Sequence, residues 1–222
     1  MPYAVRPARE TDVSQLAEIE KEAFPSTWPL TPFKRELSNR TASFLVVYDV
    51  PVSEQPSSSP SDEPSLSGNA ATVLGLMGLW RRLLRRKHPA SPITDPAERI
   101  TGYVATWYMT DEAHITGIAV RESLRGNGLG ELLLMASIEL AMKRQCRVVT
   151  LEVRTSNHVA QSLYTKYGFS HVGLRKGYYT DNHEDAYIMT TDPISSPTYS
   201  EQLHSLEDTY KTRRGDVALG LG

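Results

Sequence analysis

Three residue patterns in this chain could do chemistry. The first is the turn Arg125-Gly126-Asn127-Gly128-Leu129-Gly130. It follows the apolar run Ile118-Ala119-Val120 and leads into a stretch of helix formers from Glu131 to Arg144. A strand that turns through glycines into a helix leaves several backbone N–H groups unpaired at the positive end of the helix dipole. Such a turn is suited to an anion, most often a phosphate or diphosphate, and glycines let the backbone approach it without intervening Cβ atoms. As a bare pattern the turn serves a structural connection equally well, and it matches neither the dinucleotide fingerprint nor the Walker loop.

The second pattern is Glu152, a carboxylate within the apolar strand Val148 to Val153. Burial disfavours such a charge unless it faces a cleft or a partner. An ion pair with Arg154 or another base, or exposure on one face of the strand, accounts for it as well. The third is Tyr164, twelve residues further on, a hydroxyl that either supplies a proton or packs on the core. Asn157 stands where a helix N-cap is expected.

These patterns fall in an order that resembles the GNAT superfamily of N-acetyltransferases. Val120 and Arg125-Gly-x-Gly128-x-Gly130 resemble its diphosphate loop, and Leu151-Glu152-Val153-Arg154-Thr155-Ser156-Asn157, Leu163-Tyr164 and Tyr167-Gly168-Phe169 resemble the other half of its acetyl-CoA site. Two C-terminal blocks, Arg175-Lys-Gly-Tyr178-Tyr179 and Glu184-Asp185-Ala186-Tyr187-Ile188-Met189, are similar to signatures of RimI-type ribosomal-protein-alanine N-acetyltransferases and of eukaryotic subunits that acetylate protein N-termini. The segment Ala23-Phe24-Pro25 with Trp28 resembles the helix-turn that walls the peptide groove in the RimI type.

The resemblance implies an α/β (α+β) GNAT fold: a central mixed, mostly antiparallel sheet with helices on both faces, splayed between strands 4 and 5. It implies acetyl-CoA as co-substrate and no metal. Coenzyme contacts are expected from Ile118, Ala119, Val120, Arg125, Gly126, Asn127, Gly128, Leu129, Gly130, Glu131 and Asn157, with an oxyanion donor near Val120. By the same resemblance Glu152 accepts the proton of the amine and Tyr164 protonates the leaving thiolate. Phe24, Trp28, Tyr178 and Tyr179 contact the peptide. The substrate implied is a protein N-terminus, with a ribosomal protein foremost. Direct transfer in a ternary complex is the expected route, and the rivals are acetylation of a small amine or of lysine side chains.

Elements that could position these residues are visible along the chain. Tyr3 to Arg6 reads as a short strand. Thr11 or Asp12 can cap a helix with Leu16, Ile19 and Ala23 on one face, and a second short helix runs from Phe33 to Leu37. Phe44 to Val50, Ile100 to Met109 and Ala113 to Val120 read as strands. The glycine turn and its helix come next, with Leu129, Leu132, Leu133, Ala136 and Leu140 on one face. A strand Val148 to Val153, a helix from about Asn157 to Tyr167, and strands near His171–Arg175 and Glu184–Thr190 complete a three-layer plan.

The domain is thus expected over 1–191 with an insertion at 51–97. Residues 51–70 are rich in Pro, Ser and acidic residues and read as disordered. Residues 73–88 form a basic amphipathic pattern, with Leu76, Leu79, Trp80, Leu83 and Leu84 on one stripe among arginines. That stripe either docks on its own domain, touches a membrane or acidic partner weakly, or fluctuates; the second case would make the chain an acetyl-CoA-binding module on a tether. The tail, 192–222, shows a helical pattern near Glu201–Arg213.

Composition bounds the rest. With 24 basic and 26 acidic residues, a net charge of −2 argues against direct nucleic-acid binding. One cysteine, Cys146, rules out an internal disulfide, and the six histidines form no ligand pattern. No signal-peptide core is present at Met1–Pro7, and no apolar run reaches the roughly 20 residues of a spanning helix, so the cytoplasm is the expected compartment. An α-amine has a reference pKa near 7.7–8.0 and lysine about 10.4, a difference of about 3.5 kcal/mol in deprotonation. One carboxylate suits the former better.

Overall fold

The structure, a computed structural model, describes residues 3–24, 30–50 and 98–221. The expectations for 51–70 and for 73–88, and the placement of Trp28, lie outside the described residues.

Eight strands form one sheet: β1 (Tyr3–Pro7), β2 (Ala42–Asp49), β3 (Ile100–Met109), β4 (Glu112–Val120), β5 (Val148–Arg154), β6 (Phe169–Arg175), β7 (Ala186–Thr191) and β8 (Ala218–Leu219). Their order is β6-β7-β5-β4-β3-β2-β1-β8. The pairs β1–β2, β2–β3, β3–β4, β5–β7 and β6–β7 are antiparallel, while β4–β5 and β1–β8 are parallel. The sheet is therefore mixed and mostly antiparallel, as the sequence suggests.

Strand alternation divides the core in two. On one face Leu16 and Ile19 of α1 (Val13–Ala23) and Phe33 of α2 (Phe33–Leu37) pack with Phe44, Val46, Tyr103 and Ala119. Phe33 sits edge-on to both Phe44 and Tyr103, with ring centroids 5.7 and 5.6 Å away. On the other face α3 (Leu129–Lys143) packs with Leu45, Val47, Val104, Val149, Leu151 and Val153. Asp12 does occupy the N-cap position of α1, but its side chain makes no capping bond. Its carboxylate is instead taken by the Arg6 guanidinium, at 2.7 and 3.1 Å, and by the Arg9 N–H. A buried arginine outcompetes a helix end for this carboxylate.

The single apolar face expected of α3 understates its burial. Leu134, Met135, Ile138 and Ala141 are buried as well, and Tyr199, Leu203 and Tyr210 of α5 (Pro197–Arg214) belong to the same core. The tail is thus part of this core. Ser196 caps α5 by accepting the Tyr199 N–H, Pro197 opens it, and Gly215 ends it. The chain then returns to pair β8 with β1. α4 (His158–Lys166) lies against β6.

Candidate active site

Strands β4 and β5 pair only from Glu112↔Val148 to Ile115↔Leu151. Beyond that point they part. β4 stays bonded to β3 as far as Val120↔Gly102, with a bulge at Thr116, and β5 stays bonded to β7 as far as Arg154↔Ala186. Each strand thus keeps its outer partner while its inner edge opens. The gap belongs to a 780 Å³ cleft lined by Thr116, Gly117 and Ile118 on one wall and by Glu152, Asn157 and Tyr164 on the other. Phe24, Tyr178 and Tyr179 also line it. Ala119 does not: it is buried in the α1 layer.

Glu152 lies on the opposite face of β5 from Leu151 and Val153, by simple alternation. Its side chain is 5% exposed, so the charge must be matched inside the cleft. His114 Nε2 stands 2.9 Å from Oε2 and Arg175 Nη2 stands 3.1 Å from Oε1. The arginine contact is an ion pair without hydrogen-bond alignment, and Oε1 is buried with no donor. Burial alone would raise the carboxyl, but His114 and the Arg175 charge outweigh it and hold it below its usual value. Arg154 is not its partner.

Arg154 instead bonds Asp181 at 2.7 Å and Glu184 at 3.1 Å and lies over the Tyr179 ring at 3.8 Å. Glu184 also accepts the Ser156 N–H at 2.8 Å; hydrogen bonds from Ser156, then from Arg154, push its carboxyl down to about 2. Asp185 accepts the Gly177 N–H. These contacts tie the β6–β7 connection to the end of β5 and hold Tyr178 and Tyr179, which meet edge to face at 5.2 Å, over the cleft. The Glu184-Asp185 pair is thereby a brace for the two tyrosines.

Tyr164 projects from α4 into the cleft and leans on Phe169. Burial pushes its phenol up to about 12, so it is protonated at neutral pH. Asn157 lines the cleft and also caps α4, accepting the Ala160 N–H at 3.1 Å.

The glycine turn follows a short 3-10 turn, Glu122–Leu124. Gly126 and Gly128 have φ of +79° and +82°, values that an L side chain rarely adopts. Gly128 is the N-cap of α3, so the free N–H groups of its first turn emerge here. Arg125 reaches back to the Val120 carbonyl, Asn127 donates to Leu124 O, and Leu129 is buried. The Glu131 carboxylate turns away from the loop: Lys166 pairs with it, Tyr167 Oη donates at 2.9 Å, and Arg213 stands 4.0 Å off.

Sequence reading alone missed His114 and Arg175 as partners of Glu152, and Tyr210 and Arg214 beside the glycine turn. His114 interrupts an apolar strand much as Glu152 does, and that was the available signal; linking the two requires the β4–β5 register. Cys146 is buried, and no group of three or more possible metal ligands occurs among the described residues.

The residues that match a family model described as the acetyltransferase (GNAT) family are 65–169. A Bacillus subtilis protein, provisionally named a ribosomal protein bS18-alanine N-acetyltransferase, is 33% identical over 84% of this chain and 93% of its own. An N-alpha-acetyltransferase of Sulfurisphaera tokodaii is 30% identical over 84% of this chain and 91% of its own. The crystal structure of the ribosomal-protein-S18-alanine N-acetyltransferase of Escherichia coli shares the fold, with a TM-score of 0.59 at 24% identity over 87% of this chain and 95% of that one. With glycine turn, parted strands and relatives in agreement, the chain belongs to the GNAT family of N-acetyltransferases.

Proposed function

We propose that this enzyme acetylates the N-terminal α-amine of a protein, a ribosomal protein as in its named relatives, using acetyl-CoA directly. The observation that carries the reading is the β4–β5 gap, with His114 of β4 meeting Glu152 of β5 and Tyr164 within the same cleft. The site fits the coenzyme. The inner edge of β4 from Thr116 lacks a strand partner and can take an extended pantetheine-like arm. The glycine turn and the first turn of α3 present N–H groups for a diphosphate. The coenzyme supplies the activated acetyl thioester.

In the reaction the amine attacks the thioester carbonyl, a C–N bond forms and the C–S bond breaks. The Glu152–His114 pair takes the amine proton; the carboxylate holds the imidazole in place and balances the charge it gains. A free N–H on the β4 edge faces the oxyanion. Tyr164 donates its proton to the departing sulfur, which a phenol near 12 holds until it is demanded. Phe24, Tyr178 and Tyr179 wall the peptide end. Cys146 is buried away from the cleft lining, which supports direct transfer over an acyl-cysteine route.

The experiment is acetylation of peptides beginning with Ala, Ser, Thr or Met, read by mass spectrometry that locates the acetyl group. Modification of the α-amine is the expected result. Reaction of small amines or lysine side chains alone refutes it.

A further inference from the structure

The last turns of α5 lie against the glycine turn. Tyr210 Oη donates to Gly128 O at 3.3 Å, and Arg214 Nη2 donates to Gly126 O at 3.2 Å. The place a Cβ of Gly128 would take is already bounded by Arg214 Nε at 3.2 Å and the Tyr210 ring at 3.3 Å. A Cβ on Gly126 would meet nothing within 4 Å. One side of the turn is therefore closed by the tail helix, and the other is open.

In a trans peptide the C=O and the following N–H point in opposite directions, and no cis bond occurs among the described residues. Arg214 fixes the Gly126 carbonyl toward α5 and so aims the Asn127 N–H away from it, while Tyr210 adds a second bond to the Gly128 carbonyl, which already accepts the Leu132 N–H of α3 at 3.0 Å. Glycines with positive φ rotate their peptides easily. Unheld, the Gly126–Asn127 peptide can turn its carbonyl outward and meet an anion with negative charge.

We infer that Tyr210 and Arg214 are positioning residues for the coenzyme: they hold two carbonyls so that the turn presents N–H groups to the diphosphate. The inference rests on the reading of this turn as the diphosphate site. Neither residue needs to touch the coenzyme.

The test uses the full chain and coenzyme A in calorimetric titration, with steady-state kinetics of acetyl-CoA and an acceptor peptide that has a free N-terminal amine. Tyr210→Phe keeps the buried ring and removes one donor; Arg214→Ala removes an exposed side chain. Each is expected to weaken coenzyme A binding and raise the KM for acetyl-CoA about 3–10-fold, the loss of one net hydrogen bond. The kcat and the peptide KM should stay within about 2-fold, and Arg214→Lys should recover most of the lost affinity. Unchanged affinity in both variants, with the wild type binding normally, overturns this inference alone. So does an equal loss in kcat and peptide KM, which would mark general distortion. A wild type that does not bind coenzyme A overturns the diphosphate reading and this inference with it.

Discussion

Replacing Glu152 by Gln tests the proposed proton-accepting role of the Glu152–His114 pair most directly. The change keeps shape and volume but alters two contacts, because an amide has one oxygen where the carboxylate had two. It can accept from His114 or face Arg175 with its oxygen, and its NH2 must then meet the other. A charged hydrogen bond contributes about 1.5–3 kcal/mol, so loss of one such contact to the developing imidazolium is worth about 10–100-fold in rate. The amine adds a pH signature. With a reference pKa near 7.8, about 14% of an α-amine is neutral at pH 7 and about 94% at pH 9. The part of the defect that comes from supplying neutral amine should therefore shrink about 7-fold across that interval. The assay is kcat/KM for a peptide at pH 7 and pH 9, beside calorimetry with coenzyme A. We expect a loss of about 10²-fold at pH 7, a smaller one at pH 9, and unchanged coenzyme affinity. A loss below about 3-fold at pH 7, or a loss of coenzyme affinity that matches the rate, refutes the role.

Tyr164→Phe should lower kcat about 10²-fold while coenzyme A still binds, since only the donated proton is lost; a full rate in single-turnover measurements would dismiss it. Glu139 on α3 faces Glu207 of α5, with Lys143 and Lys211 nearby; burial, then the Glu207 charge, raises its carboxyl to about 7. The folded state therefore holds this proton more tightly than the unfolded chain, and stability contributed by it falls as pH rises from about 4.5 to about 7. Glu139→Gln should thus gain Tm relative to wild type on going from pH 5 to pH 8, by a few degrees, and a pH-independent difference would contradict the sign. Asp12 is held below its usual value because the Arg6 hydrogen bond outweighs the opposing effect of burial. Asp12→Ala leaves a guanidinium whose side chain is 9% exposed with Glu98 as its remaining carboxylate and the Pro7 carbonyl as acceptor, and should cost about 3 kcal/mol in denaturant unfolding.

Most of the fold is legible because its elements have strong periods. β3 and α2 fall on the expected residues, and the other elements as far as β7 shift by one or two residues at their ends, where periodicity is weakest; α5 starts four residues before the expected helix, and β8 matches no expected element. The tail was harder. α5 carries few apolar residues, Tyr199, Leu203 and Tyr210 among them, and two of these are tyrosines whose hydroxyls find carbonyl partners at Tyr167 and Gly128. A helix that buries tyrosines and leaves its charges outside looks surface-like in sequence. The α3 residues that meet α5 include Gly128, Glu131 and Glu139, so the apolar pattern of α3 carries no sign of this contact. Glu152 could be singled out as a carboxylate in an apolar strand, but its partners come from β4 and β6. Pairing across strands distant in sequence is fixed by sheet order, and alternation within one strand carries no information about it.

The place of the site follows from that order. β4 and β5 are the one parallel pair inside an otherwise antiparallel central sheet. A sheet can open at such a junction without unravelling, because each strand is anchored on its far edge to an antiparallel partner, β3 for one and β7 for the other. The bulge at Thr116 increases the local twist of β4 where the strands begin to diverge. Opening leaves main-chain donors and acceptors without a strand partner, and such groups must be met by water or by a ligand. The same divergence creates room on the floor of the cleft for a buried carboxylate, which Leu151 and Val153 on the other face of β5 could not tolerate among α3 side chains. One departure from regular pairing thus yields both an edge without a strand partner and a lined cleft that holds a buried carboxylate, the two features on which the proposed function rests.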